Sequence, residues 1–526
     1  MLPHLPLVTA EQMAAADQAT IREGIPGREL MDRAGRGVWE AAASRYEIRP
    51  GSKLLFLCGK GNNGGDGFVA ARFARSAGHD TTVVIHTAET DVGGNALYHL
   101  EAARSAGVSI QTAEAVGLSA LIESVRTADL VFDALLGTGL KGLPRGSISS
   151  TICLLRQERP KIVAADVPSG LDPDTGIGEA PDVDLTVTFG ALKAAHVTYP
   201  GRKRCGAVEV VDIGLSKLAL SKLSSRFVAF SRLGPELPDR SPTTHKGAVG
   251  RVAVIAGSEG LTGAACLTAL AALRGGTGLV TLAIPKSLND ICEIKLTEVM
   301  TLPLPEVRKG RCLSLRARAG IRSIISDADA IALGPGLGRH HETAELIRRV
   351  VRDLTTPTVL DADGLNAFAG RVDELTDAPA PLILTPHLGE FERLTGTAPE
   401  DPLRSAEELS RTTGAVVVLK GAPTIVAFPD GRSYTNLTGN AGMATGGSGD
   451  VLTGMIVALL AQGEPPADAA LKGVYWQGLS GDLVTPHKGE RGLIAGDLID
   501  AMSKADLMIQ TTPIDLQHYV RCRTVR

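Results

Sequence analysis

The chain is predicted to fold as two doubly wound α/β domains. Three observations carry this expectation. Short apolar runs alternate with segments of helical period, first in one half of the 526 residues and again in the other. The alternation lapses once, between about Lys222 and Lys246, where "RLGPELPDRSPTTHKG" holds Pro235, Pro238 and Pro242 and little periodicity. Glycine and polar residues cluster directly after the apolar runs, where an open parallel sheet holds its ligand.

Taken in order, "TAEQMAAADQATIREG" reads as a helix with Thr9 as N-cap and Gln12 in capping-box position. "GRELMDRAGRGVWEAAASRY" is a second helix. "KLLFLCG" is a buried strand, followed by a glycine loop and the helix "FVAARFARSAG". "TTVVIH", "DLVFDALLG", "KIVAADVPSG", "LTVTFG" and "AVEVVDIG" are further strands, with helical segments such as "NALYHLEAARSAG" between them. After the proline-rich interval the pattern restarts with the strand "RVAVIAGS" and the helix "GAACLTALAALRGG". "LVTLAIP", "ADAIALGPGLG", "PTVLDADGLN", "PLILTPH", "AVVVLKG" and "TIVAFP" supply later strands or strand ends. A helical region runs from Asp450 into "GVYWQGLSGDLV". The expected boundaries are a first domain over 1–222, a linker over 223–245, a second domain over 246–510 and an unassigned tail over 511–526.

With 54 basic and 58 acidic residues the net charge is −4, which offers no electrostatic reason for a nucleic-acid or anionic-membrane partner. The one basic stretch, Arg308 to Arg322, reads as a solvated face. Seven cysteines are scattered without CxxC or metal-type spacing, as expected of buried free thiols in a reducing compartment. No signal-peptide pattern or membrane-length apolar run is visible, and the expected location is the cytoplasm.

"GKGNNGGDG", Gly59 to Gly67, satisfies G-x-G-x-x-G through Gly59, Gly61 and Gly64. That spacing alone is a weak dinucleotide signal. Asn62, Asn63 and Asp66 would crowd a pyrophosphate, so the loop is better suited to side-chain contacts with a ligand or a cation. Asp133 ends a later strand and Ser169 follows another. An amide, a carboxylate and a hydroxyl are hard oxygen donors, suited to Mg²⁺, Ca²⁺ or an alkali cation rather than zinc. Each alone would equally cap a helix or close a turn. Asp166, at a strand end before a proline, is a candidate general acid or base.

In the second half no GxxxxGK[ST] motif occurs. "NAGMATGGSGD", Asn440 to Asp450, takes its place. Backbone N–H groups of Gly446, Gly447, Ser448 and Gly449 can converge on an anion at a helix start. Asp450 then falls in the first helical turn, where the helix dipole is expected to keep it ionised. It could accept a proton from a hydroxyl attacking phosphorus. Lys420 to Thr424, His387, the glycines of "LGPGLG", and Asp361 and Asp363 of "DADGLN" lie at other strand ends.

"GKGNNGGDGFVAARF", "DALLGTGLKG", "DVPSGLDPDTG" and "TVTFGALKAAHVTYPG" resemble the NAD(P)H-hydrate epimerase domain, a Rossmann-like three-layer sandwich, over roughly residues 5–220. The resemblance implies interconversion of R and S hydrates of NADH or NADPH. It assigns hydrate contacts to Asn62, Asn63, Gly64, Gly65, Asp66, Gly137, Thr138, Gly139, Leu140, Lys141, Gly142, Leu143 and Asp166, with Asp166 as acid/base. It also assigns a potassium ion to Asn63, Asp133 and Ser169.

"HKGAVGRVAVIAGS", "TGAACLTALAALRGGTGLV", "LGPGLG", "DADGLN", "TPHLGEFERL", "VVLKGAPTIV" and "GNAGMATGGSGDVLTGMI" resemble the ADP-dependent NAD(P)H-hydrate dehydratase, a ribokinase-like fold, over about residues 230–505. This implies dehydration of the S hydrate with Mg²⁺ and ADP, giving AMP and phosphate. Lys420, Gly421, Ala422, Pro423, Thr424 and Gly449 would hold the nucleotide. Ala264, Gly338, His387 and Asp450 would hold the hydrate, with Asp450 as base toward a transiently phosphorylated C6 hydroxyl. A homo-oligomer, tetramer or larger, is expected. Two alternatives stay open: a ribokinase-like kinase of a small vitamin alcohol in the second half, and a non-catalytic ligand-binding module in the first.

Overall fold

The computed structural model describes residues 4–139, 142–216, 220, 224–229, 237–238, 241–376, 378–511 and 520–524. Leu140, Lys141 and part of the expected linker (223, 230–236 and 239–240) lie outside them. The chain divides into two compact units. One is built on residues between Leu5 and Arg226 together with the tail strand Val520–Thr524; the other begins at Phe227.

In the first unit, the sheet is built, before the tail adds its strand, from β1 (Lys53–Cys58), β2 (Asp80–Ile85), β3 (Ser109–Thr112), β4 (Leu130–Ala134), β5 (Ile162–Ala165), β6 (Leu185–Phe189) and β7 (Ala207–Asp212). They lie side by side in the order β3-β2-β1-β4-β5-β6-β7, and the pairings are parallel. The order reverses between β1 and β4. That reversal opens a crevice beyond the carboxyl ends of these two strands. Phe56 of β1 and Phe132 of β4 stack at 4.1 Å under this point and anchor the core.

Strands of the second unit continue as β8 (Arg251–Ile255), β9 (Leu279–Pro285), β10 (Met300–Leu304), β11 (Ala330–Leu333), β12 (Thr358–Leu360), β13 (Leu382–Leu384), β14 (Val416–Leu419), β15 (Thr424–Ala427) and β16 (Ser433–Asn436). Their order is β10-β9-β8-β11-β12-β13-β14-β15-β16, parallel except for the antiparallel β15 and β16. Here the reversal falls between β8 and β11. The first seven strands of each unit therefore follow one winding scheme, although the two halves share no visible sequence repeat. The helix Ser448–Ala461 is buried all round from Val451 onward, which explains its unbroken apolar composition. Gly454 lets it lie against the Thr262–Arg274 helix, since a Cβ there would meet Ala271 at 2.6 Å.

Several expectations need correcting. The helix after β1 begins at Asn62 rather than Phe68, so the "NNGGDG" stretch is its first six residues. The glycines there serve close packing: a Cβ on Gly64 would overlap the Gly59 carbonyl, and one on Gly67 would lie 2.7 Å from Cys58 Sγ. The late helical region is two helices, Ser448–Ala461 and Pro466–Lys488, separated at Gly463 and Pro465. The unassigned tail contributes β17 (Val520–Thr524), which pairs in parallel with β7, and Arg523 forms an ion pair with the buried Glu209. All seven cysteines are free, but Cys153 is exposed and Cys522 half-buried. None of the described helices is long and apolar enough to cross a membrane.

Candidate active sites

At the reversal point of the first unit, β4 carries Asp133 one residue before its end, completely buried. Ser169, in the turn after β5, donates its hydroxyl to Asp133 Oδ1 at 2.5 Å and its backbone N–H to Oδ2 at 2.8 Å. Burial pushes the Asp133 carboxyl up, and these bonds only partly oppose it. Asn63, one residue into the helix after β1, has its amide oxygen and nitrogen shielded from solvent and without a protein partner. An amide so placed costs stability unless something else satisfies it. The Gly137 backbone fits against it, for a Cβ at Gly137 would approach Asn63 Oδ1 to 3.0 Å. This donor set, oxygen-only and carrying one carboxylate, fits an alkali cation.

Asp166 follows β5 with φ +65°, a conformation rare for a residue with a Cβ. Its Oδ1 accepts from Lys193 Nζ at 2.6 Å and from Thr188 Oγ1 at 3.0 Å. Burial alone would raise its carboxyl; the Lys193 ammonium and its hydrogen bond, with His196 and Thr188, outweigh burial and hold it below the ordinary value. Asp66 behaves oppositely. Burial first, then the Asp166 and Asp17 charges, push it well above the carboxylate range. Asp17, on the Ala10–Arg22 helix, is pushed up to about 6 by burial, with Asp166 adding to it and Lys193 opposing. The site thus sets an ionised Asp166 beside a protonated Asp66, the arrangement acid/base chemistry requires.

In the second unit, Gly447 caps the Ser448–Ala461 helix at φ +94°, and a Cβ there would sit 2.5 Å from Leu267 Cδ1. No other residue fits that turn. Ser448 N–H is spent on Thr445 O at 3.3 Å, so it does not join the expected convergence of free amides. Two neighbouring helices pin the loop: Gln477 Nε2 donates to Ser448 O at 2.6 Å and Thr268 Oγ1 to Asp450 O at 3.1 Å.

Asp450 is not held ionised as expected. Burial, then the neighbouring Asp361, raise it to about 7; Lys420 opposes, and Glu390 and Asp363 add. The helix dipole is outweighed by burial first and by three other carboxylates second. Asp361 is 1% exposed and accepts from Lys420 Nζ at 2.8 Å and Thr385 Oγ1 at 2.7 Å on Oδ1, and from Thr453 Oγ1 at 2.8 Å on Oδ2.

The remaining residues gather around this core. Lys420 also faces Glu390 at 3.7 Å, and a Cβ on Gly449 would lie 3.2 Å from Lys420 Nζ. Lys420 to Pro423 form the turn between β14 and β15, and Thr424 opens β15. His387 caps the Leu388–Thr395 helix, its Nδ1 accepting from Gly389 N at 3.0 Å, with its other ring nitrogen 3.5 Å from Glu390 Oε1. Gly338 N–H donates to Asp363 at 2.8 Å, while a Cβ on Gly336 would touch Ala264 at 3.1 Å. Lys193, Thr188, His196 and Asp17 in the first unit, and Glu390, Thr385 and Thr453 in the second, were not singled out from the sequence.

Two family models match: the NAD(P)H-hydrate dehydratase family over residues 252–504 and the YjeF-related protein N-terminus family over residues 27–195. The chain is 40% identical over 507 residues to a bifunctional NAD(P)H-hydrate repair enzyme of Moorella thermoacetica, covering 94% of this chain and 95% of that one. It is 37% identical to the enzyme of the same name from Salinibacter ruber, covering 95% and 96%. A solved ADP/ATP-dependent NAD(P)H-hydrate dehydratase from Bacillus subtilis, co-crystallised with ATP and Mg²⁺, is 32% identical over 52% of this chain and 94% of its own, with a TM-score of 0.45. The chain belongs to the family of bifunctional NAD(P)H-hydrate repair enzymes.

Proposed function

We propose that the chain repairs hydrated nicotinamide dinucleotides in two steps. The first unit interconverts the R and S hydrates of NADH and NADPH at C6. The second removes water from the S hydrate at the expense of ADP, giving AMP and phosphate. The observation that carries this reading is the pairing of two different carboxylate sites with full-length kinship: Asp166 at the sheet edge of one unit and Asp450 at the glycine loop of the other.

For epimerisation, Asp166 takes the proton of the C6 hydroxyl. The C6–N1 bond opens, its electron pair goes to N1, and a protonated carboxyl such as Asp66 returns a proton there. Reclosure on the other face of the aldehyde gives the other epimer. For dehydration, Asp450 takes the C6 hydroxyl proton as that oxygen attacks the terminal phosphorus of ADP and AMP departs. The N1 lone pair then expels phosphate from C6, and loss of a C5 proton restores the ring double bond. Asn62 to Asp66 and the described residues of Gly137 to Leu143 would contact the hydrate in the first unit. Ala264, Gly338 and His387 would do so in the second. Lys420 to Thr424 and Gly449 would hold the nucleotide, with Mg²⁺ neutralising its phosphates.

Asn63, Asp133 and Ser169 would hold potassium, which would supply a fixed positive charge beside the hydrate. The orphaned Asn63 amide supports this assignment. A cytoplasmic homo-oligomer, tetramer or larger, completes the proposal; light scattering after gel filtration tests the assembly. The activity test is incubation of the full chain with the hydrate mixture and ADP or ATP. Recovery of the reduced-nicotinamide absorbance supports the reading. No recovery, with phosphorylation of a small alcohol instead, replaces it with a kinase.

A further inference from the structure

The first unit buries a lysine for which the proposed reaction has no explicit task. Lys193 is 0% exposed, among the buried Ala191, Leu192, Ala194 and Ala195. An ammonium in such surroundings is stable only if paired, and an apolar side chain of similar size would commonly serve the fold as well. What the charge touches therefore matters. Nζ donates to Asp166 Oδ1 at 2.6 Å and to Thr188 Oγ1 at 2.8 Å, and Thr188 Oγ1 donates to the same Oδ1 at 3.0 Å. Asp166 Oδ2 takes neither bond.

The backbone of Asp166 is held from the same turn. Lys193 N–H donates to His196 Nδ1 at 3.1 Å, which places the ring proton on Nε2. That nitrogen donates to the Asp166 carbonyl at 2.8 Å. His196 is buried and stays neutral, since burial, then the Lys193 charge, lower it to about 3. Side chain and carbonyl of one left-handed aspartate are thus gripped by two residues three apart.

We propose that Lys193 is a positioning residue for epimerisation: its ammonium fixes Asp166 Oδ1, holds Asp166 charged beside Asp66 and Asp17, and leaves Oδ2 aimed for the hydroxyl proton. The proposal rests on the reading of Asp166 as the acid/base group. The other titratable groups facing the pair are Asp66 from the Asn62–Ser76 helix, Asp17 from the Ala10–Arg22 helix, and the neutral His196, itself flanked by Arg202. With the lysine gone, three carboxylates share one pocket and Asp166 takes up a proton.

The test uses the full chain and kcat/KM for epimerisation against pH, which reports the free enzyme. The wild type is expected to show no acidic limb between about pH 8 and about pH 5. Lys193→Met is expected to lose at least about tenfold at neutral pH and to show an acidic limb within that window, with Trp39 fluorescence in a Trp476→Phe background as the folding control of the first unit. Lys193→Arg keeps the charge and should keep the limb out of the window even if the rate falls. Active Lys193→Met without a limb overturns the proposal, and so does a wild-type limb above about pH 5. If Lys193→Met does not fold, Lys193→Gln and the wild-type profile decide on the same terms. Asp166→Asn with wild-type epimerisation overturns the reading of Asp166 itself; an inactive Asp166→Asn beside an unaltered Lys193→Met profile overturns only the lysine's role.

Discussion

Asp450→Asn is expected to make the second unit more stable while abolishing dehydration. The carboxyl stands at about 7 in the folded chain against 3.8 ordinarily, because burial and the neighbouring carboxylates disfavour its charge. The folded state therefore holds this proton more tightly than the unfolded state. Stability contributed by the protonated group is fully present below pH 3.8 and is lost as pH rises to about 7. At ~1.4 kcal/mol per pH unit the loss approaches about 4 kcal/mol above pH 7. Asparagine cannot ionise and escapes it. The chain has one tryptophan in each unit, Trp39 and Trp476, and Trp476 is buried with its Nε1 bonded to Met502 O at 3.0 Å. In a Trp39→Phe background, Trp476 fluorescence in urea reports the second unit alone. Asp450→Asn should gain about 2–4 kcal/mol at pH 8 and almost nothing at pH 4. In the wild type, kcat/KM for dehydration should rise with pH through about 7 as the base ionises. Equal stability of the two proteins at pH 8, or retained dehydration in the asparagine variant, would refute the reasoning.

Other perturbations bear on other parts of the account. Lys420→Met strands the buried Asp361 with only its two threonine bonds and should destabilise the second unit by about 3 kcal/mol in the same fluorescence assay. It also removes a charge that lowers Asp450, so the acidic limb of dehydration should move to higher pH. Gly64→Ala drives a methyl into the Gly59 carbonyl and should cost the first unit ~1–3 kcal/mol, read from Trp39 fluorescence in a Trp476→Phe background. Asn63→Leu fills the orphaned amide's place with carbon. Epimerisation by that variant should no longer respond to replacing choline with potassium, whereas the wild type should.

Much of the fold was readable because helix and strand signals here are strong. Thr9 and Gln12 form the capping box that their spacing indicates, and strands such as Leu279–Pro285 match their apolar runs. The strand Ser433–Asn436 was not readable. Its sequence "SYTN" lacks apolar periodicity, yet all four residues are buried between strand and helix partners. Val520–Thr524, with two arginines in five residues, finds its place only through β7, some three hundred residues earlier in the chain. Asn62 to Gly67 looked like a loop because four-residue glycine density usually means turns; here the missing side chains admit Met31, Ala134 and the Gly59 carbonyl to a helix. Among functional groups, Asp166 and Asp450 stand where strand ends and helix starts direct attention. Lys193 does not, because a lysine after "GAL" reads as a surface residue. Its one local signal is the unbroken run of small and apolar neighbours around it.

The most direct measurement follows reduced-nicotinamide absorbance while a mixture of R and S hydrates is incubated with ADP and the full chain. Wild type should recover both epimers. Asp166→Asn should recover only the share initially present as S, apart from slow spontaneous epimerisation, and Asp450→Asn should recover nothing while still interconverting the two. Full recovery by both variants at wild-type rates would contradict the assignment of two carboxylates to two reactions.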